Sequence, residues 1–302
     1  MTNQININKN LRWLSFVNPR EKDIKNLRNE STIHPIILDE LLRPSDRSRI
    51  ENHGDYIFLV YHLPIYNVEN RASRRVEIDI IASKTTVITS TYETLEPVVQ
   101  FERDLGKKFR GDDIKTTAQI IYYLLEEINE FSMRQLKHIE RKVQFVGDDL
   151  FRHTNQKLLE EMSYIKRDLL DFSMIAVAQK TTLESLIDSG SNIWNKEAKI
   201  YFTDLFGDFL KVHYLLENLR ATIESYSDTI SQIFQFKTSE VIRTFSVLVV
   251  LTFPLMLFAT ISLQPHIDRT LIRTPENFWL LFSIVTLVVI GIGVFLRKKG
   301  WF

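Results

Sequence analysis

The spacing of apolar residues changes character along this chain. In the first hundred residues it comes as short β-branched and aromatic runs: 11–17 (LRWLSFV), 56–63 (YIFLVYHL), 76–82 (VEIDIIA) and 85–91 (TTVITST). Such runs predict strands. Stretches 19–29 and 34–42 read as helices, so residues 1–96 are expected to form a mixed α/β domain. Beyond Pro97 no proline occurs until Pro254, and only Gly106, Gly111, Gly147, Gly190 and Gly207 interrupt. Proline costs about 3 kcal/mol inside a helix, so this tract predicts long helices. Asp112 and Asp113 are candidate caps for a helix running towards Phe151. A second helix is expected over 155–189, ended by Ser189-Gly190, and a third from about Asn195.

The third helix has the sharpest period. Phe202, Leu205, Phe209, Val212, Leu216, Leu219, Ile223, Tyr226, Ile230 and Ile233 follow one another at alternating steps of three and four. That is a coiled-coil seam, and packing within the chain or between chains would satisfy it equally. No break signal separates the seam from the apolar stretch after Arg243. Continued through Leu263, the helix would be about 100 Å long and would carry a cytoplasmic domain directly into a membrane helix.

Charge then disappears. Residues 244–263 (TFSVLVVLTFPLMLFATISL) and 278–296 (FWLLFSIVTLVVIGIGVFL) contain no Asp, Glu, Lys or Arg. At 1.5 Å per residue they reach about 30 Å and about 28 Å, the thickness of a hydrocarbon layer. The organisation expected is a cytoplasmic α/β domain (1–96), long cytoplasmic helices (97–193), a stalk (194–243), a first span (244–263), an outer loop (264–277), a second span (278–296) and a basic tail (297–302). Lys237 and Arg243 precede the first span and Arg297-Lys298-Lys299 follow the second, while the loop holds only Arg269 and Arg273. This bias puts both termini in the cytoplasm, at the inner or plasma membrane, with Trp279, Trp301 and Phe302 as interfacial anchors.

Composition alters this picture only when divided. The 302 residues carry 38 basic and 38 acidic side chains, a formal charge of zero. The last 59 residues carry five basic and two acidic side chains, so they are +3 and the remainder −3. Neutrality argues against nucleic acid as a partner. There is no cysteine, which excludes disulfides, zinc–thiolate sites and thiol catalysis. No phosphate loop, dinucleotide fingerprint, His-Glu-x-x-His or nucleophile elbow occurs, and the seven histidines lack metal-ligand spacing. No enzyme is read here, and no organic cofactor. The polar start MTNQININKN shows no secretory signal.

This order of parts resembles the CorA family of homopentameric divalent-cation channels, chiefly for Mg²⁺. The resemblance is collinear over nearly the whole chain. It runs through the helix HPIILDELL from His34, the strand YIFLVYHLP from Tyr56, IKRDL from Ile165, SEVIR from Ser239, FPL from Phe253 and the ending RKKGWF. One departure stands out: the family's Gly-Met-Asn at the outer end of the first span is absent. Ungapped counting from Pro254 puts Leu263-Gln264-Pro265 there, which offers the Gln264 amide and backbone carbonyls.

The resemblance implies a pore lined by Ser239, Ile242, Phe245, Val249, Phe253, Met256 and Thr260, with Ile242, Phe245 and Phe253 as hydrophobic gates that close by dewetting. Without it, the same apolar face reads as helix packing or lipid contact. The family also senses cytoplasmic Mg²⁺ through an aspartate early on the stalk, and Asp204 falls at that place, with Glu96 as the candidate partner acid from a neighbouring subunit. Arg297, Lys298 and Lys299 would form a basic collar at the inner mouth. In the outer loop Asp268 and Glu276 are balanced by Arg269 and Arg273. The implied function is passive divalent-cation transport, of Mg²⁺ or else Co²⁺, Ni²⁺ or Zn²⁺. A non-conducting membrane sensor or scaffold of the same fold is the other class of reading, and a related channel for a different ion a third.

Overall fold

The computed structural model describes residues 2–8, 10–107, 114–150, 156–263 and 275–301. Its elements in chain order are β1 (Thr2–Asn6), β2 (Arg12–Val17), α1 (Glu21–Glu30), α2 (Pro35–Glu40), β3 (Arg49–Asn52), β4 (Tyr56–Asn67), β5 (Ala72–Ser83), β6 (Thr86–Thr91), α3 (Glu96–Lys107), α4 (Thr117–Leu150), α5 (Gln156–Trp194), α6 (Lys196–Ser262) and α7 (Pro275–Lys298). The chain falls into two units, Met1–Ser227 and Asp228–Phe302.

In the first unit six strands form one sheet in the order β1-β2-β6-β5-β4-β3. Only β2 and β6 pair in parallel; the other neighbours are antiparallel. The β4–β5 ladder is the longest and runs from Tyr56↔Ser83 to Asn67↔Ala72. Both long strands are buried on both faces, which explains their near-continuous apolar sequences. One face packs Phe58, Val60, Ile81 and Ile88 against Ile24 and Leu27 of α1 and Ile37 and Leu38 of α2. On the other, Trp13 packs at a tilt against Phe101 of α3, ring centres 5.2 Å apart. His34 caps α2: its Nδ1 accepts the Ile36 amide, and Pro35 follows at the first helical position.

A polar knot is buried beside the first of these faces. His62 Nε2 lies 2.9 Å from Glu77 Oε2, His62 Nδ1 lies 2.6 Å from Ser48 Oγ, and the Ser45 amide donates to Glu77. Tyr92 donates its hydroxyl to Asp79 Oδ2 at 2.8 Å, while Asp79 Oδ1 has no partner. Burial and the Glu77 carboxylate push Asp79 up to about 8.

Two sequence expectations are corrected here, and two strands are added to them. Asp112 and Asp113 lie outside the described residues, and α4 is capped instead by Thr116. Its hydroxyl accepts the Gln119 amide while Gln119 Oε1 accepts the Thr116 amide, a capping box. Gly190 does not end α5, which runs on to Trp194. A Cβ at Gly190 would overlap the Phe202 ring, so glycine is there for close helix contact rather than for a turn. The break falls at Asn195 alone, in the left-handed region at φ 73°. Finally, β1 and β3 were not foreseen, because their sequences TNQIN and RIEN carry no apolar run.

The seam of α6 packs inside its own chain through this unit. Phe202, Leu205, Phe209, Val212, Leu216, Leu219 and Ile223 are all buried. Asn129 of α4 reaches the Leu205 carbonyl, and Arg220 of α6 reaches Ser173 of α5. At the α5 end Trp194 Nε1 donates to Thr117 Oγ1 at 2.7 Å, and that hydroxyl donates on to the Ser83 carbonyl of β5.

The second unit holds the rest of α6 and α7, the two helices long and apolar enough to cross a membrane. They meet through Phe258, whose ring lies 5.5 Å from Phe278 and 5.9 Å from Phe282. Leu251 meets α7 at Gly293. Helix α6 passes through Pro254, whose missing amide leaves the Val250 carbonyl without its helical donor.

Candidate pore and regulatory site

Ile242, Phe245, Val249, Phe253 and Met256 are exposed to between 56 and 71%, and Ser239 and Thr260 are exposed with them. On a helix of 3.6 residues per turn these seven lie opposite Leu251 and Phe258, the residues that meet α7. Among the described residues the face is therefore uncovered, and it is continuous over about six turns. Its hydroxyl at Thr260 donates to the Met256 carbonyl at 2.8 Å. The hydrogen is thus spent on the helix, and the lone pairs are what the side chain presents outward. Ser246, at the flank, does the same with Ile242.

Of the residues at the missing signature, Leu263 follows the end of α6 and is exposed. Gln264 and Pro265 lie outside the described residues, as do Asp268, Arg269 and Arg273. Glu276 sits in the first turn of α7, where a carboxylate suits the helix dipole.

The other end of α7 is closed by a helix-terminating turn. Trp301 N donates to the Leu296 carbonyl at 3.0 Å and Gly300 N to the Arg297 carbonyl at 3.1 Å, with Gly300 at φ 72°. This is the six-to-one, five-to-two pattern that needs glycine. Arg297 and Lys298 occupy the last turn, where cations oppose the dipole, and Lys299 Nζ sits 5.4 Å from the Phe295 ring centre.

Asp204 lies in the first unit, exposed on α6. It borders a groove of about 650 Å³ lined by Lys199, Thr203, Gly207, Asp208 and Lys211 among others. It is not a free carboxylate. Tyr122 of α4 donates its hydroxyl to Asp204 Oδ2 at 2.7 Å. Burial, then the Asp204 carboxylate, push the phenol above its ordinary range, so it stays protonated and donating. Asp208, one turn on, is paired with Lys211 at 2.5 Å. Glu126, one turn beyond Tyr122, is raised by burial and by Glu130, Asp208 and Asp204, the mark of a crowded acidic surface.

Glu96 opens α3 and is held by Arg134 at 3.7 Å, an arginine it shares with Glu127 and Glu130. Among the described residues no three His, Asp or Glu side chains of one chain converge as a metal-ligand set. Sequence reasoning missed Tyr122 and Asp208. The Tyr122–Asp204 pair spans 82 positions, and no local pattern links them.

The same arrangement of parts is found in known proteins. The family model described as CorA-like Mg²⁺ transporter protein matches residues 8–261. The chain is 18% identical over 296 residues to the cobalt/magnesium transport protein CorA of Thermotoga maritima, covering 96% of this chain and 83% of that one. The complete structure of the CorA magnesium transporter from Methanocaldococcus jannaschii superposes with a TM-score of 0.80 at 17% identity, covering 97% of this chain and 92% of that one. The ZntB cytoplasmic domain of Vibrio parahaemolyticus gives 0.62 at 14%, covering 76% and 89%. The chain therefore belongs to the CorA-like Mg²⁺ transporter family, whose members are homopentameric membrane channels and not enzymes.

Proposed function

We propose that this protein conducts divalent cations passively as a homopentamer in the inner or plasma membrane, with Mg²⁺ as the permeant ion and both termini in the cytoplasm. The observation that carries the reading is the apolar face of α6 opposite α7, which its own chain leaves uncovered. Five such faces around an axis enclose a narrow, dry path. Ile242, Phe245 and Phe253 form its constrictions, and water leaves a ring of that character before ions can pass. Thr260 offers oxygen near the outer end. Moving two charges through 100 mV is worth about 4.6 kcal/mol, enough to drive uptake without another energy source.

Asp204 is the regulatory acid in this reading. Its exposed carboxylate suits a hard cation such as Mg²⁺. Among the described residues of one chain it belongs to no set of three or more ligating side chains, which favours a partner acid from a neighbouring subunit. Glu96 is the candidate, its pair with Arg134 being exposed and weak. Arg297, Lys298 and Lys299 form the basic collar at the inner face.

Uptake of Mg²⁺, Co²⁺, Ni²⁺ and Zn²⁺ into liposomes holding the purified pentamer tests the reading. Mg²⁺ influx under an inside-negative potential is expected, with Asp204→Ala weakening closure by Mg²⁺. The absent Gly-Met-Asn and the balanced loop charges favour a second reading, a non-conducting sensor or scaffold. No flux of any ion through intact pentamers would establish that reading instead. Flux of Zn²⁺ or a monovalent ion alone would mark a channel for a different ion.

A further inference from the structure

We infer that Tyr122 is a positioning residue that sets how much divalent cation the Asp204 carboxylate requires. This rests on Asp204 being the regulatory acid. The phenol occupies Oδ2 from within the same chain at 2.7 Å, so the carboxylate already has a donor before any ion arrives. A hydroxyl and a cation compete for the same oxygen lone pairs. A bound donor therefore stabilises the ion-free state and raises the concentration at which a cation takes over.

The surroundings keep this donor in place. Tyr122 is buried, and its ring packs against Tyr123 at 5.1 Å and Tyr201 at 5.4 Å. Tyr201 is itself fixed by Gln119 Nε2 at 2.9 Å. The phenol also approaches Glu126, at 3.5 Å, too long to compete with the 2.7 Å bond to Asp204. Lys211, one of the lysines of the groove, is paired with Asp208. Asp204 therefore has the phenol as an in-chain donor, on an oxygen that an incoming ion must claim from it. The role is one of tuning: the phenol decides how tightly an ion is held there, and Asp204 decides whether one is held at all.

The test uses full-length pentamer in detergent and Mg²⁺ alone as the probe. The readout is the Mg²⁺ midpoint of the rise in melting temperature, which does not require conduction. Tyr122→Phe keeps both ring contacts and removes only the hydroxyl. It is expected to lower the midpoint by roughly three- to tenfold. Asp204→Ala is expected to abolish the Mg²⁺-dependent rise, and adding Tyr122→Phe to it should change nothing further. Asp204→Asn keeps an acceptor for the phenol but loses the charge, so it should behave as the Ala variant does. An unchanged midpoint in Tyr122→Phe, with the rise lost in Asp204→Ala, overturns the positioning role and leaves the regulatory acid standing. A wild-type rise in Asp204→Asn overturns the regulatory acid, and the inference with it.

Discussion

Two stretches of α6 carry nearly the same apolar rhythm and meet opposite fates. Phe202 to Ile223 repeats at threes and fours and is buried by the helices of its own chain. Ile242 to Thr260 repeats at threes and fours and is bare. Periodicity reports that a face will be covered, not by what. In the first stretch the cover is intramolecular and supplied by α4 and α5. In the second, among the described residues, the cover is α7, on the other side, so the remaining face needs lipid or other copies.

That contrast is sharpest under truncation. Phe209→Ala should cost about 3–5 kcal/mol by emptying a fully buried site, read as a fall in melting temperature of the detergent-solubilised protein. Phe245→Ala removes an equal volume from the bare face and should cost under about 1 kcal/mol. Its effect should appear instead as faster ion flux through liposomes. Equal destabilisation by both variants would mean that the two faces are covered alike.

The next largest effect concerns burial that lacks pairing. Asp79 is held up to about 8, above its ordinary 3.8, by burial and Glu77. A carboxyl raised on folding gives stability that is full below about pH 3.8 and lost as pH rises towards about 8. Asp79→Asn should therefore flatten the wild-type decline between these values, gaining on the order of 2–4 kcal/mol at pH 9 and nothing at pH 4. Parallel pH–stability curves for the two proteins would remove the account of a proton kept in the fold.

Glycines on the helices give the smaller tests. Gly190→Ala drives a methyl into the Phe202 ring and should cost about 1–3 kcal/mol, by thermal melting. Gly207→Ala points into open space beside Asp204 and should instead gain about 0.5–1 kcal/mol from helix propensity. A loss at Gly207 would mean that the groove is filled in the assembled protein.

Much of the fold could be read in advance where the hydrophobic pattern is strong. The two spans, the seam and the strands β2, β4, β5 and β6 each show a run or period that only one element satisfies. What stayed hidden lacked such a pattern. β1 pairs only with β2 and β3 only with β4, at the sheet's two edges, so neither needs an apolar face. Gly190 reads as a helix terminator because a glycine placed for close packing and one placed for a turn look identical in sequence. The site divides in the same way. A carboxylate at Asp204 was legible as a candidate from the family resemblance. Its phenol was not, since contacts between long helices depend on their relative rotation, which composition does not encode.

The joint at Asn195 has a mechanical meaning. A loop of several residues between α5 and α6 would stretch and absorb any displacement of one helix before the other felt it. One residue has no such slack. An axial pull on α6 in this unit must be felt at Trp194, and Trp194 is fastened through Thr117 to the Ser83 carbonyl of the sheet. The stalk is thereby tethered to the α/β fold by a short, taut linkage.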